Sequence, residues 1–229
     1  MENNLSLALS DSISDEVGAV ATDLLEVGLD AIMDDGLLKE VPVISTAVSL
    51  YKIGNSIKER HQLKKLASFV VALNNGIADE EKRAHYKNTV KDDPKRRDKE
   101  LEYIVILIDR YIHSSKAALL AKLFLAYLDE RISWVEFTKY AEVLDRLLPG
   151  DLELLLGTFP QVFHQDKIGD SAFRVSALGL ISPTENNSLF VEDGRGGFSV
   201  TLESMERVNR KETVYGRTEF GQVLARILQ

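Results

Sequence analysis

Glu81 and His85 stand four residues apart, a spacing that puts both side chains on one face of a helix. A carboxylate and an imidazole so placed have the chemistry to share a metal ion or relay a proton. The remaining histidines, His61, His113 and His164, fall in separate stretches, so the pair reads as a solvated contact on a charged helix. There is no cysteine, which removes disulfides, thiolate zinc sites and cysteine nucleophiles. The sequence also lacks a nucleophile elbow, a phosphate loop, a paired-histidine zinc helix and a dinucleotide fingerprint. Gly194-Arg195-Gly196-Gly197 lies between two strand-like runs rather than between a strand and a helix, the wrong setting for a phosphate cradle. The expectation is therefore a protein with no catalytic residues, no cofactor and no metal. An enzyme using only Asp and Glu would leave no such signature.

Calcium fails on the same inspection. If Glu136 is taken as the last ligand of a calcium loop, the first and third ligands fall on Leu125 and Tyr127. The position that wants glycine holds Glu130. The stretch Asp129–Phe137 reads instead as a turn that caps a helix, because Ser133-Trp134-Val135-Glu136 has the spacing of a capping box.

Charge points toward partners rather than reactions. The net charge is −8, unevenly distributed. Met1–Glu40 carries ten acids and one base, whereas Lys52–Lys116 carries fifteen bases and ten acids. Asp23, Glu26 and Asp30 project from the acidic segment as one candidate partner-binding set. Arg195, Arg207, Arg210 and Lys211 form another near the C-terminal end, diluted there by Glu203, Glu206 and Glu212. Duplex readers concentrate positive charge on one face, so nucleic acid ranks below protein as the expected partner. A homo-oligomer is compatible with the same surfaces.

These residues need elements to position them, and apolar periodicity supplies the elements. Ile13, Val17, Val20, Leu24, Val27 and Ala31 make one stripe of an amphipathic helix over Ser12–Met33. A second helix is expected from Val43 to Leu73, broken near Gly54-Asn55 and stopped by Asn74-Asn75-Gly76. A charged helix follows over Asp79–Lys91. Asp93-Pro94 restarts the chain with cap and first-turn proline, and Leu101, Ile104, Val105, Ile108, Tyr111 and Ile112 form its inner face. Ser114 or Ser115 caps a helix over Lys116–Asp129 that is apolar nearly all round and so belongs at the centre. The next helix turns Phe137, Tyr140, Ala141, Leu144 and Leu148 inward. Leu120, Leu123, Phe124, Tyr127, Trp134 and Phe137 are the expected core. Asp109-Arg110 and Asp145-Arg146 lie in an internal echo and are expected to pair across a helix interface.

After Pro149-Gly150 the character changes. Short helices are expected over Asp151–Phe159 and Asp170–Leu178, and strand is expected only in a hairpin between about Asn187 and Leu202. A closing helix should be capped by Thr218. Helix, helix, glycine-tipped hairpin, helix resembles a winged-helix domain. The fold class is thus mainly α, a multi-helix bundle with a small C-terminal winged-helix-like α+β unit. Its expected divisions are residues 1–36, 37–150 and 151–229.

The longest uncharged apolar stretch, Val41–Tyr51, has 11 residues and contains Pro42. A membrane span needs about 20, and Met1-Glu2-Asn3-Asn4 lacks the basic start of a secretory signal, so a cytoplasmic protein is expected. Val41-Pro42-Val43-Ile44, Ser49–Gly54, Ile108-Asp109-Arg110, Ala126-Tyr127-Leu128 to Glu136-Phe137, and Leu144-Asp145-Arg146 together resemble a poorly characterised group of bacterial and mobile-element helical proteins. The resemblance implies a bacterial origin and a role in conflict with phage, and assigns no site residues. The leading functional expectation is a non-enzymatic helical protein-interaction or regulatory protein. Two alternatives stand beside it: a membrane-active effector that sheathes residues 37–53 until triggered, and a winged-helix regulator that binds DNA.

Overall fold

The computed structural model describes residues 8–9, 45, 57–76, 94–164, 169–184, 191–192, 198–199 and 212–229. Among them are seven helices: α1 (Ile57–Gly76), α2 (Pro94–Arg110), α3 (Ser114–Leu128), α4 (Trp134–Arg146), α5 (Pro149–Leu156), α6 (Asp170–Ala177) and α7 (Glu219–Leu228). The strands are β1 (Gln161–His164), β2 (Ile181–Pro183), β3 (Val191–Glu192), β4 (Phe198–Ser199) and β5 (Glu212–Arg217). The chain divides into two compact units, Met1–Asp145 and Arg146–Gln229. The expected helices over Ser12–Met33 and Asp79–Lys91 lie outside the described residues, as do the apolar stretch Val41–Tyr51, apart from Ser45, and the Glu81–His85 pair.

In the first unit α3 is the central helix, as its all-round apolar sequence requires. Leu120, Leu123 and Phe124 are fully buried, and α3 packs most extensively on α1, which contributes Leu66, Phe69, Val70 and Leu73. Gly76 closes that contact, since a Cβ there would stand 2.1 Å from the Leu125 Cδ1. Helix α2 begins on Pro94, as the first-turn proline predicts. Its inner face is Leu101, Ile104, Leu107 and Ile108. Two of the residues expected there sit elsewhere. Ile112 lies beyond the helix end and is 76% exposed, and Val105 is only half-buried. Leu148 is likewise turned outward while Leu147 is buried in its place. For Ile112 and Leu148 the helix stops before the periodic pattern does, and the chain turns off the face that the pattern extrapolates, whereas Val105 lies within α2 at the margin of its inner face. Ser114 and Ser115 do not cap α3. His113 takes the cap position in extended conformation without a side-chain bond, so the helix starts two residues earlier than expected.

The second unit is a small α+β assembly with the expected order of helix, helix, hairpin, helix, but it holds more strand than the hairpin alone. Strands β1, β5 and β2 form an antiparallel sheet in that order, beside the separate hairpin β3–β4. Gln161 opposes Tyr215 and His164 opposes Glu212 on one side of β5, and Ile181 opposes Arg217 on the other. Periodicity missed β1, β2 and β5 because they are three to six residues long. Helix α7 begins where Thr218 accepts a bond from the Gly221 N–H (3.0 Å) and donates its own hydroxyl to the Gly179 carbonyl (2.6 Å). Gly221 is required by this approach, because a Cβ there would stand 1.9 Å from the Leu180 carbonyl oxygen. Helices α5 and α6 are locked by one buried carboxylate. Asp151, fully buried in the first turn of α5, accepts from the Leu148 N–H (2.8 Å) and from the Arg174 guanidinium (2.9–3.2 Å). Burial pushes the Asp151 carboxyl up, but the Arg174 and Leu148 bonds outweigh it and hold the group below its ordinary value.

Two measurements follow. Phe124→Ala should lower stability by about 3–5 kcal/mol, and a loss under about 1 kcal/mol would show that the core is centred elsewhere. Asp151→Ala should cost about 2–4 kcal/mol near neutrality through lost charged hydrogen bonds. The sign with pH is fixed by the depressed folded value. The ionised form stabilises above the unfolded pKa and stops doing so as the pH falls through the folded one. Urea melts should therefore show the gap between wild type and variant shrinking as acid is added below the ordinary aspartate range, and a gap that widens would refute the assignment.

Candidate interaction surface

A ladder of aromatic rings runs from the core of the first unit to its surface. Phe69 meets Phe124 (centroids 6.3 Å apart), Phe124 meets Phe137 (5.9 Å), and Phe137 stacks on Trp134 (4.8 Å, 22° between planes). Trp134 then takes Tyr127 at 5.2 Å and Tyr103 at 5.9 Å, both edge-on. Phe69, Phe124 and Phe137 are fully buried, whereas Tyr103, Tyr127 and Trp134 keep part of their surface in solvent. The expectation that Tyr127 and Trp134 belong to the core thus needs correcting: they form its solvent-facing edge. The cause is local. Ser133 and Glu136 form the capping box that their spacing predicts, with the Glu136 Oε2 accepting from the Ser133 N–H (2.8 Å) and hydroxyl (2.7 Å). Trp134 therefore occupies the first turn of α4, at the end of the bundle. The same two bonds, the backbone one first, hold the fully exposed Glu136 carboxyl below its ordinary value.

Further apolar surface flanks these rings. Ile106, one turn along α2 from Tyr103, is 45% exposed, and Val135, beside Trp134, is 60% exposed. Acidic groups line the same seam. The Tyr127 hydroxyl donates to Glu100 (2.9 Å), and Glu142 and Asp145 both act on Tyr103. Burial foremost, then the Glu142 charge, raises the Tyr103 hydroxyl above its ordinary value, and Arg110 opposes them. Arg110 is itself paired with Asp145 (2.5 Å), so the Asp-Arg units do meet across a helix interface, through one member of each.

Three cations bond the carbonyl ends of helices in other elements. Lys65 donates to the Asp109 (2.7 Å) and Tyr111 (2.9 Å) carbonyls, closing the end of α2. Desolvation lowers its pKa, with Asp109 opposing the shift and Lys58 adding to it. Lys116 donates to the Asp145 carbonyl (2.7 Å) near the end of α4 and lies 5.7 Å from the Tyr111 ring centre. Arg217 reaches the Leu155 and Gly157 carbonyls after α5, with its guanidinium over Phe159 (4.6 Å). No group of three His, Asp or Glu side chains among the described residues is placed to hold a metal.

The residues that charge singled out, Asp23, Glu26, Asp30, Arg195, Arg207, Arg210 and Lys211, lie outside the described residues. What is described of the second unit bears on DNA. Helix α6, which precedes β2 and the hairpin, turns Asp170, Phe173 (70% exposed) and Ala177 to solvent. Its one base, Arg174, is bound to Asp151. No protein-family model matches the chain, and no curated protein or solved structure is significantly similar to it.

Beneath the aromatic edge, Glu130 has a φ of 56°, and the Arg131 N–H returns to the Ala126 carbonyl (2.9 Å) to end α3. A side chain in this left-handed conformation costs about 1–2 kcal/mol, and glycine gives back about half in unfolded-state entropy. Glu130→Gly should therefore raise stability by about 0.5–1 kcal/mol, read as a higher urea midpoint. A lower midpoint would mean that the Glu130 carboxylate matters more than its backbone.

Proposed function

We propose that this chain is a non-enzymatic protein-interaction module that receives a protein partner on the surface formed by Tyr103, Tyr127 and Trp134. One observation carries the reading: three half-buried aromatic residues, with Ile106 and Val135 exposed beside them, stand on helices whose ends are rigidly capped. Aromatic rings that are part in and part out of solvent give contact area at low entropic cost, which is why they anchor interfaces. A rigid scaffold keeps that cost low.

The DNA-binding alternative draws less support. A recognition helix whose outward residues are Asp170, Phe173 and Ala177 offers a phosphate backbone nothing to bind. For the membrane-active alternative, no helix among the described residues is long and apolar enough to cross a bilayer.

Val135→Lys tests the proposal, because the side chain is largely in solvent and the change should alter stability by no more than about 0.5 kcal/mol. Affinity capture from the cells that make the protein should recover a partner with the wild type and lose it with the variant. Equal recovery would move the interface elsewhere. Submicromolar, salt-sensitive binding of random duplex DNA would promote the regulator reading instead.

A further inference from the structure

The buried lysines and Asp151 are consumed in closing helices. The exposed Phe173 stands with only Ala177 beside it, and nothing indicates what would cover it. The α2–α4 seam carries more, because apolar, aromatic and charged groups converge there.

Resting on the interaction reading above, we infer that this surface receives an arginine-bearing segment of the partner, its guanidinium stacked on Tyr103 and paired with Glu142. The seam has a defined layout. Tyr103 leans its ring against Trp134 at one end and comes under the charges of Glu142 and Asp145 at the other. Ile106 on α2 and Val135 on α4 are exposed apolar side chains of the same two helices, surface on which the methylene stem of a long side chain can lie. Asp145 is already occupied by Arg110, so a guanidinium lies in this seam in the free protein. Glu142, exposed one turn before Asp145, makes no ion pair with a described residue. Of the two bases within a helical turn of it on α4, Lys139 acts on Glu136, and neither Lys139 nor Arg146 is paired with Glu142.

Charge and shape together select the occupant. The carboxylates of Glu100, bonded to Tyr127, and of Glu142, whose charge acts on Tyr103, repel an acidic segment. Among cations, guanidinium is planar, weakly hydrated and able to bond a carboxylate through two N–H groups while stacking on a ring. Ammonium is compact and strongly hydrated, so lysine gains less on the same surface.

Trp134 is the protein's only tryptophan, so its emission reports directly on the seam. The full chain is titrated at low salt with oligoarginine, with oligolysine of equal length, and with oligoglutamate. Oligoarginine should shift the emission and bind several-fold more tightly than oligolysine, and oligoglutamate should do nothing. Glu142→Gln, at an exposed position that leaves the fold intact by circular dichroism, should weaken oligoarginine about two- to fivefold, the effect of one exposed ion pair. Ile106→Lys should weaken it further. Equal binding of the two cationic peptides would reduce the effect to the chain's net charge of −8 and overturn the inference. So would a Glu142→Gln variant that binds as the wild type does. A cellular partner lost with Val135→Lys but retained in full by Glu142→Gln would also overturn it, leaving the interaction reading intact. Failure of Val135→Lys to affect any partner would overturn that reading itself.

Discussion

The last carbonyl groups of a helix point along its axis with no N–H left to meet them, and they gather partial negative charge. In this protein three helices solve that problem with a cation borrowed from another element. Lys65 on α1 closes α2, Lys116 on α3 closes the end of α4, and Arg217 on β5 closes α5. Two of the three are lysines buried to within a few per cent, so each trades the hydration of an ammonium ion for fixed carbonyl dipoles. Such a trade is favourable only when the geometry is good, because a buried charge without partners is severely penalised. The depressed pKa of Lys65 records the residual cost of that burial. The return is rigidity: a carbonyl end bonded to its neighbour cannot fray independently. The aromatic edge depends on this, since Tyr103 sits on α2 and Trp134 on α4, and each helix is pinned at its far end by a lysine from a different one.

Much of this architecture was legible in the residues, and most of what was missed is non-local. Local chemistry read true at three helix starts and failed at α3, where His113 rather than Ser114 or Ser115 takes the cap position. Pro94 opens α2, Ser133 and Glu136 form their box, and Thr218 caps α7, because a cap involves residues three or four apart. Central placement of α3 followed from a helix with no polar face. Lys65, by contrast, carries no sign in the sequence that it is buried. What buries it is the end of α2, more than forty residues away, and no spacing rule reaches that far. The short strands failed for the same reason, since β1 and β2 acquire their meaning only from β5.

The candidate surface was half visible. Tyr127 and Trp134 stand among the residues expected in the core and Tyr103 does not, while the capping box that places Trp134 on the rim is plain in the sequence. What escaped was the combination, that a tryptophan immediately after a cap occupies the outermost turn of its helix and so spans core and solvent. Ile106 and Val135 gave no warning, because an apolar residue one position off a buried stripe is common and usually meaningless. Glu142 gained interest only once Arg110 was seen to be spent on Asp145. The significance of that acid lies in what its neighbours already hold, a property of three dimensions rather than of composition.

The strand order β1-β5-β2 bears on how the molecule is made. A ribosome delivers the chain from its N-terminal end, so the two outer strands emerge before the one that joins them. Neither outer strand pairs with the other, and both present open edges until residues 212–217 arrive between them. All residues of the first unit have emerged by Asp145. The second unit must still wait for its last strand, carrying meanwhile a short interval of sticky, unpaired backbone. Helper proteins that shield nascent chains would find their work in the second half, and a translational pause is better tolerated before Arg146 than between His164 and Glu212.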